Sequence, residues 1–133
     1  MNSTISRFIR GLWIAGLIGT INLEAQETGV VSRDNVNVRG RAGFIGEVIT
    51  RVDAGETVVV LDRQTLSNPK SGEPAEWLKI SLPQNTPVWV HGSYVDAASQ
   101  TVSASRLKVR GGPGVNYSVL GFVERGTPVT EIR

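Results

Sequence analysis

The sequence contains no cysteine and a single histidine, His91. Lack of cysteine excludes disulfides, thiolate metal sites and a cysteine nucleophile. With only one histidine, a zinc cluster of the usual Cys/His kind is excluded as well. Long apolar runs are also missing: Gly11–Ile21 falls short of the about 20 residues that a spanning helix requires. Nor is there an excess of one charge. The chain has 14 Lys+Arg and 12 Asp+Glu, of which Arg7, Arg10 and Glu24 lie in the first 25 residues. The remainder is nearly balanced, so the high pI is no argument for nucleic acid, which needs a basic stripe beside its aromatics.

What the first stretch does have is an order. Arg7 and Arg10 precede the apolar run, and polar Asn22–Gln26 follows it. Positive segment, short apolar segment and polar exit are the layout of a secretory signal peptide over residues 1–25, with cleavage expected after Ala25. Leu23 at the −3 position is bulkier than the small residue preferred there. An N-terminal helix packed on the domain is the alternative. Export of a cysteine-free chain fits a bacterial periplasm, envelope or exterior, with no stable membrane span once the signal is removed.

Beyond this segment the chain repeats itself. Shifting it by 71 positions lays Val31–Asp62 over Val102–Arg133 without a gap. The phrase VNVRGRAG at Val36–Gly43 meets LKVRGGPG at Leu107–Gly114, and Val31, Ser32, Val48, Val52, Gly55 and Val58 meet identical residues. Valines recur where strands bury them, and glycines where turns form. One structural unit is therefore written twice, and the second writing stops at Arg133.

The patterns are those of short strands. Val36 and Val38 alternate around Asn37, Glu47–Val52 reads as a strand, and Asp53–Glu56 reads as a turn with Gly55 at positive φ. Thr57–Asp62 is β-branched, Glu76–Leu82 alternates, and Val88–His91 ends the series before a polar linker, residues 97–100. The fold class expected is all-β, a small closed or half-open barrel of about five short strands at 29–96, followed by a partial second unit at 101–133. That second segment is too short to bury its own strands. It is either a piece of a longer tandem protein, docked on the first unit or a second copy of the chain, or disordered.

These phrases resemble the bacterial SH3 family. The opening is Val36-Asn37-Val38-Arg39-Gly40, the turn Ala54-Gly55-Glu56, the Trp strand Glu76-Trp77-Leu78-Lys79-Ile80, and the close Val88-Trp89-Val90-His91-Gly92-Ser93-Tyr94-Val95. Two departures stand out: Pro87 occupies a position where glycine is frequent, and the second copy lacks the counterpart of Arg63–Asp96. The resemblance implies that the barrel is a small SH3-like barrel followed by a partial second SH3-like repeat, and that the chain is a non-catalytic adaptor or targeting module of an exported bacterial protein. Its implied partners are a peptidoglycan peptide or an envelope protein, with neither nucleic acid nor cofactor. The alternative is a structural or interaction segment of a larger exported protein, such as a cell-wall hydrolase, whose activity lies elsewhere.

No catalytic constellation is legible. His91 beside Ser93 has no acid near it in sequence, so a structural hydrogen bond is the expectation and a general base the lesser alternative. Asp34, Glu47, Asp53 and Glu56 lack the alternating oxygen ligands of a calcium loop, so no metal site is expected. Six residues are candidates for ligand binding. Phe44 and Tyr94 belong to a loop and a strand end, where binding residues concentrate. Trp77 and Trp89 read either as core or core rim, or as stacking platforms. Arg39 and Arg110 recur at equivalent positions, where they can bond loop carbonyls or capture a carboxylate.

Overall fold

This computed structural model describes residues 26–132; the expected signal peptide lies outside them. The described residues are all-β. In chain order the strands are β1 Thr28–Val30, β2 Val36–Arg39, β3 Val48–Val52, β4 Thr57–Thr65, β5 Glu76–Ile80, β6 Val95–Asp96, β7 Thr101–Val102, β8 Arg106–Arg110 and β9 Val119–Glu124. They form small sheets ordered β1-β4-β5, β2-β3, β6-β7 and β8-β9, and among the described residues none closes into a barrel. Val88–His91, expected as a strand of the first barrel, contributes one isolated bridge from Trp89, and its partner is Arg110.

The reason lies in how one pattern is built at two places. In β2-β3, Val36 opposes Val52, Val38 opposes Thr50 and Arg39 opposes Val48, with the register slipping between Val38 and Arg39. In β8-β9, Leu107 opposes Val123, Val109 opposes Gly121 and Arg110 opposes Val119, with the slip between Val109 and Arg110. Both slips sit beside an arginine that turns into its own loop. Arg39 Nη1 donates to the carbonyls of Gly46 at 2.8 Å and Phe44 at 3.4 Å. Arg110 Nη1 donates to Tyr117 at 3.0 Å and Val115 at 3.2 Å. A bulge re-aims a side chain in this way. The turn beyond recurs too. Gly55 and Gly126 have φ of 90° and 85°, a region that glycine enters without a Cβ penalty. Their amides donate to Val31 and Val102, each at 2.8 Å.

The two hairpins differ in what closes them. Arg110 exchanges two backbone bonds with Trp89, at 2.8 and 2.9 Å, and Ser103 N–H donates to Tyr94 O at 2.8 Å. β6 then pairs with β7, Val95 opposite Val102. Asp96–Gln100, read as a linker from sequence, is the turn between them. The Asp96 carboxylate accepts the amides of Ala98 and Ser99, both at 2.9 Å, and the amides of Ser99 and Ala98 hold its pKa below the usual range. Among the described residues β1 and β2 receive no such cover, and each is paired on one side only.

Burial follows pairing. The apolar core consists of Val52, Val60, Val102, Leu107 and Val109, three of them in β7 and β8. Leu107 is 5% exposed, whereas its counterpart Val36 is 40% exposed. Trp77 is half-buried, at the rim of the structure, not inside it.

Joining the two hairpins is a contact between equivalent positions. Glu47 of the first loop meets Ser118, its counterpart 71 residues on, through Ser118 N–H at 2.6 Å and Oγ at 2.8 Å. The loop carrying Glu47 is folded tightly: a Cβ on Gly46 would stand 2.3 Å from the Arg41 carbonyl oxygen, which is backbone and cannot swing aside. Gly46→Ala is therefore expected to cost about 1–3 kcal/mol in urea unfolding. Gly121→Ala, where a Cβ meets nothing within 4 Å, is the control and should leave the midpoint unchanged or slightly raised.

Candidate functional site

The six candidate residues fall into two groups. Arg39, Phe44 and Trp77 assemble around the first loop. The Phe44 and Trp77 rings meet edge to face with centroids 6.4 Å apart, and the Arg39 guanidinium lies over the Phe44 ring at 5.4 Å. Trp77 Nε1 donates to Pro74 O at 2.8 Å, which fixes the indole. Glu73 ties the loop down by accepting the amides of Lys70 and Phe44, and these two bonds hold its carboxyl below the usual range.

Trp89, Tyr94 and Arg110 assemble elsewhere, on a cleft of roughly 670 Å³ between the closing segment and β8. The aromatic side of this cleft is Trp89 and Tyr94, half exposed at 50% and 49%, with His91 tilted against Tyr94 at 5.3 Å. The other side presents Arg106 and Lys108, which alternate along β8 and so share a face, and Arg110 just past the register slip. Among the described residues that line the cleft, none is acidic. The three cations differ in how occupied they are. Arg110 is engaged with loop carbonyls, and Arg106 stacks over Phe122 with its guanidinium carbon 3.7 Å from the ring centroid. Among the described residues Lys108 has no salt-bridge partner, and its ammonium is the cation left for a ligand.

His91 serves the turn. Its Nδ1 accepts the Ser93 backbone amide at 3.3 Å, and its carbonyl accepts the Tyr94 amide at 3.1 Å, capping the short 3₁₀ turn Gly92–Tyr94. The bond from Ser93 is made by its amide and not by its hydroxyl, so the pair is not arranged as nucleophile and base. The acidic residues are similarly employed. Asp53 accepts from Asn35 N–H at 2.8 Å, Asp34 from Ala54 N–H at 3.1 Å, and Glu56 from Asp53 N–H at 2.8 Å. Each organises a turn.

Sequence reading did not single out Arg106 and Lys108, although their alternation with Arg110 is visible in RLKVR. The Glu47–Ser118 contact was also missed. Its trace is that the 71-residue shift sets a carboxylate against a hydroxyl directly before the matching valines Val48 and Val119.

Residues 34–96 match the model of the bacterial SH3 domain family. The bacterial SH3 stretch thus contains both the Arg39 hairpin and the closing segment, which in the structure lie on different halves. The chain is also 28% identical over 120 residues to the Bacillus subtilis (strain 168) protein named "Putative N-acetylmuramoyl-L-alanine amidase YrvJ". That alignment covers 81% of this chain and 21% of the relative, so the chain spans about a fifth of that protein's length. No solved structure matches.

Glu47 is where the two halves respond to acid. Partial burial pushes its carboxyl upward, but the Ser118 hydroxyl and amide, its own amide and the charge of Arg41 outweigh this and lower the pKa. A carboxyl lowered in the folded state lends stability that is complete above its unfolded pKa and is lost as pH falls through the folded one. Glu47→Gln should cost about 1 kcal/mol near neutrality, allowing for the partial exposure of the pair. It should also flatten the fall in melting temperature between about pH 6 and about pH 3, measured by circular dichroism.

Proposed function

We propose that this chain is an exported, non-catalytic binding segment of a larger cell-wall-associated protein, and that the cleft at Tyr94 and Lys108 takes a carboxylate-bearing cell-wall peptide. The observation that carries the reading is the cleft's composition: aromatic faces on one side, a row of cations on the other, no acid among the lining residues. Peptidoglycan stem peptides combine apolar side chains with free carboxylates, which is the complement of that lining. The bacterial SH3 match at 34–96 and the likeness to a protein named as an amidase support a wall-directed role.

The same reading treats 29–96 and 101–133 as two writings of one unit, the second partial. Recurrence of register, bulge, arginine clip and glycine turn at one spacing supports it. Export rests on the layout of residues 1–25, and an N-terminus at Gln26 on the protein recovered from outside the cytoplasm would test it.

The binding test is titration of a stem peptide bearing free carboxylates, followed by tryptophan fluorescence. Tyr94→Ala and Lys108→Glu should each weaken binding about tenfold, the second chiefly at low salt. Phe44→Ala, in the other cluster, should leave affinity unchanged. Affinity indifferent to both cleft variants, or lost equally on amidating the peptide and on replacing Phe44, sinks the assignment to this cleft.

A further inference from the structure

The chain has two acceptors for a closing strand and, among the described residues, one strand occupying one of them. The occupied acceptor is defined by three backbone features: Arg110 exchanging two bonds with Trp89, Ser103 N–H donating to Tyr94 O, and Val102 lying opposite Val95. Moving back 71 residues gives Arg39, Ser32 and Val31. Their inner sides are built like those of the occupied acceptor, because Val31 donates to Glu56 and accepts from Gly55 as Val102 donates to Thr127 and accepts from Gly126. Their outer sides carry no strand. β2 has only β3 beside it, β1 has only β4, and among the described residues the Ser32 amide donates to no backbone carbonyl. The apolar side chains report the same vacancy. Val31 is half-buried and Val36 40% exposed, whereas their counterparts Val102 and Leu107 are 1% and 5% exposed, with Val95 of the closing segment opposite Val102.

We infer that the open edge formed by Val31–Ser32 and Val38–Arg39 is a docking surface for an extended peptide strand from another protein, with the chemistry of the closing segment: apolar-Trp-apolar, a short turn, then Tyr-apolar. The occupied acceptor shows what such a strand does. It adds two bonds at the arginine and one at the serine, and it lies over Val102 and near Leu107, which opposes Val123, so main-chain bonds hold it and alternate side chains select it. The bacterial SH3 match is a second argument. It places Arg39 and Val88–Asp96 in one family unit, so this edge and this strand pattern suit each other. A docked strand would also set a Trp89-like indole against Arg39, whose guanidinium already lies over Phe44, and so join the first aromatic cluster to a second ring.

The absence of cysteine makes the test direct. Because Ser103 and Tyr94 share a backbone bond, Val95 and Val102 form the next, non-hydrogen-bonded pair, whose Cα atoms stand about 4.5 Å apart and whose geometry admits a disulfide. The probe is a synthetic peptide with the sequence of residues 87–96 and cysteine in the position of Val95. It is equilibrated in glutathione buffer with the full chain carrying either Val31→Cys or Val102→Cys, and the adduct is read by mass. The Val31→Cys chain should capture about tenfold more peptide than the Val102→Cys chain, whose partner position is already filled. Adding Ser32→Pro, which deletes the required donor on an exposed residue, should abolish capture while the circular dichroism spectrum stays the same. Preferential capture at Val102→Cys would mean that the chain's own segment sits on the first acceptor, and overturns the proposal. Equal, background capture by both chains overturns it as well, as does capture that survives Ser32→Pro.

Discussion

A strand edge in water holds donors and acceptors that must be satisfied by solvent or by another strand, and apolar side chains beneath it stay wet until a strand arrives. In this molecule that constraint falls twice, on β1/β2 and on β7/β8, and the segment Trp89–Asp96 meets it once. Where the segment lies, Val102, Leu107 and Val109 are buried; where it does not, their counterparts Val31 and Val38 are half-buried and Val36 is exposed. The burial of β7 and β8, the position of the cleft and the open edge of the first hairpin all derive from this one choice of partner.

The arginine clips are the other organising element, and they limit what the site can be. A guanidinium that satisfies two loop carbonyls holds the loop in shape, but it has fewer donors left for a ligand. Arg39 and Arg110 each hold the loop beside them through two carbonyls, whereas Lys108 has no salt-bridge partner among the described residues. The aromatic groups divide in the same manner. Trp77 and Phe44 brace each other at the first loop, while Trp89 and Tyr94 stand half exposed on the cleft.

Much of this was legible in the residues. Valine alternation and the TVVVLD run predict β structure, the glycines of DAGE and ERGT predict turns, and the 71-residue self-match predicts two hairpins of equal register. What composition cannot report is which of two nearly identical acceptors a strand takes, because Arg39 and Arg110 present the same backbone and the same side chain. The closing segment was therefore assigned to the unit that contains it in sequence. The cleft was missed for the same reason, since it exists only where Trp89 and Tyr94 face β8. Glu47 and Ser118 were hidden because neither residue type is unusual, and only their juxtaposition gives them a role.

The Asp96 turn bears on the order in which the molecule assembles. It sets Val95 a short hairpin away from Val102, while Val31, the equivalent partner, lies most of a domain upstream. Closing the longer loop involves about three further doublings of length, or about 2 kcal/mol of additional chain entropy. Contacts close in sequence form sooner. A chain emerging from the ribosome thus meets the distant acceptor first in time, but the near one lies at far higher effective concentration once Val102 has appeared. The carboxylate that caps this turn, by shortening the path between β6 and β7, makes the nearer acceptor the kinetically preferred one.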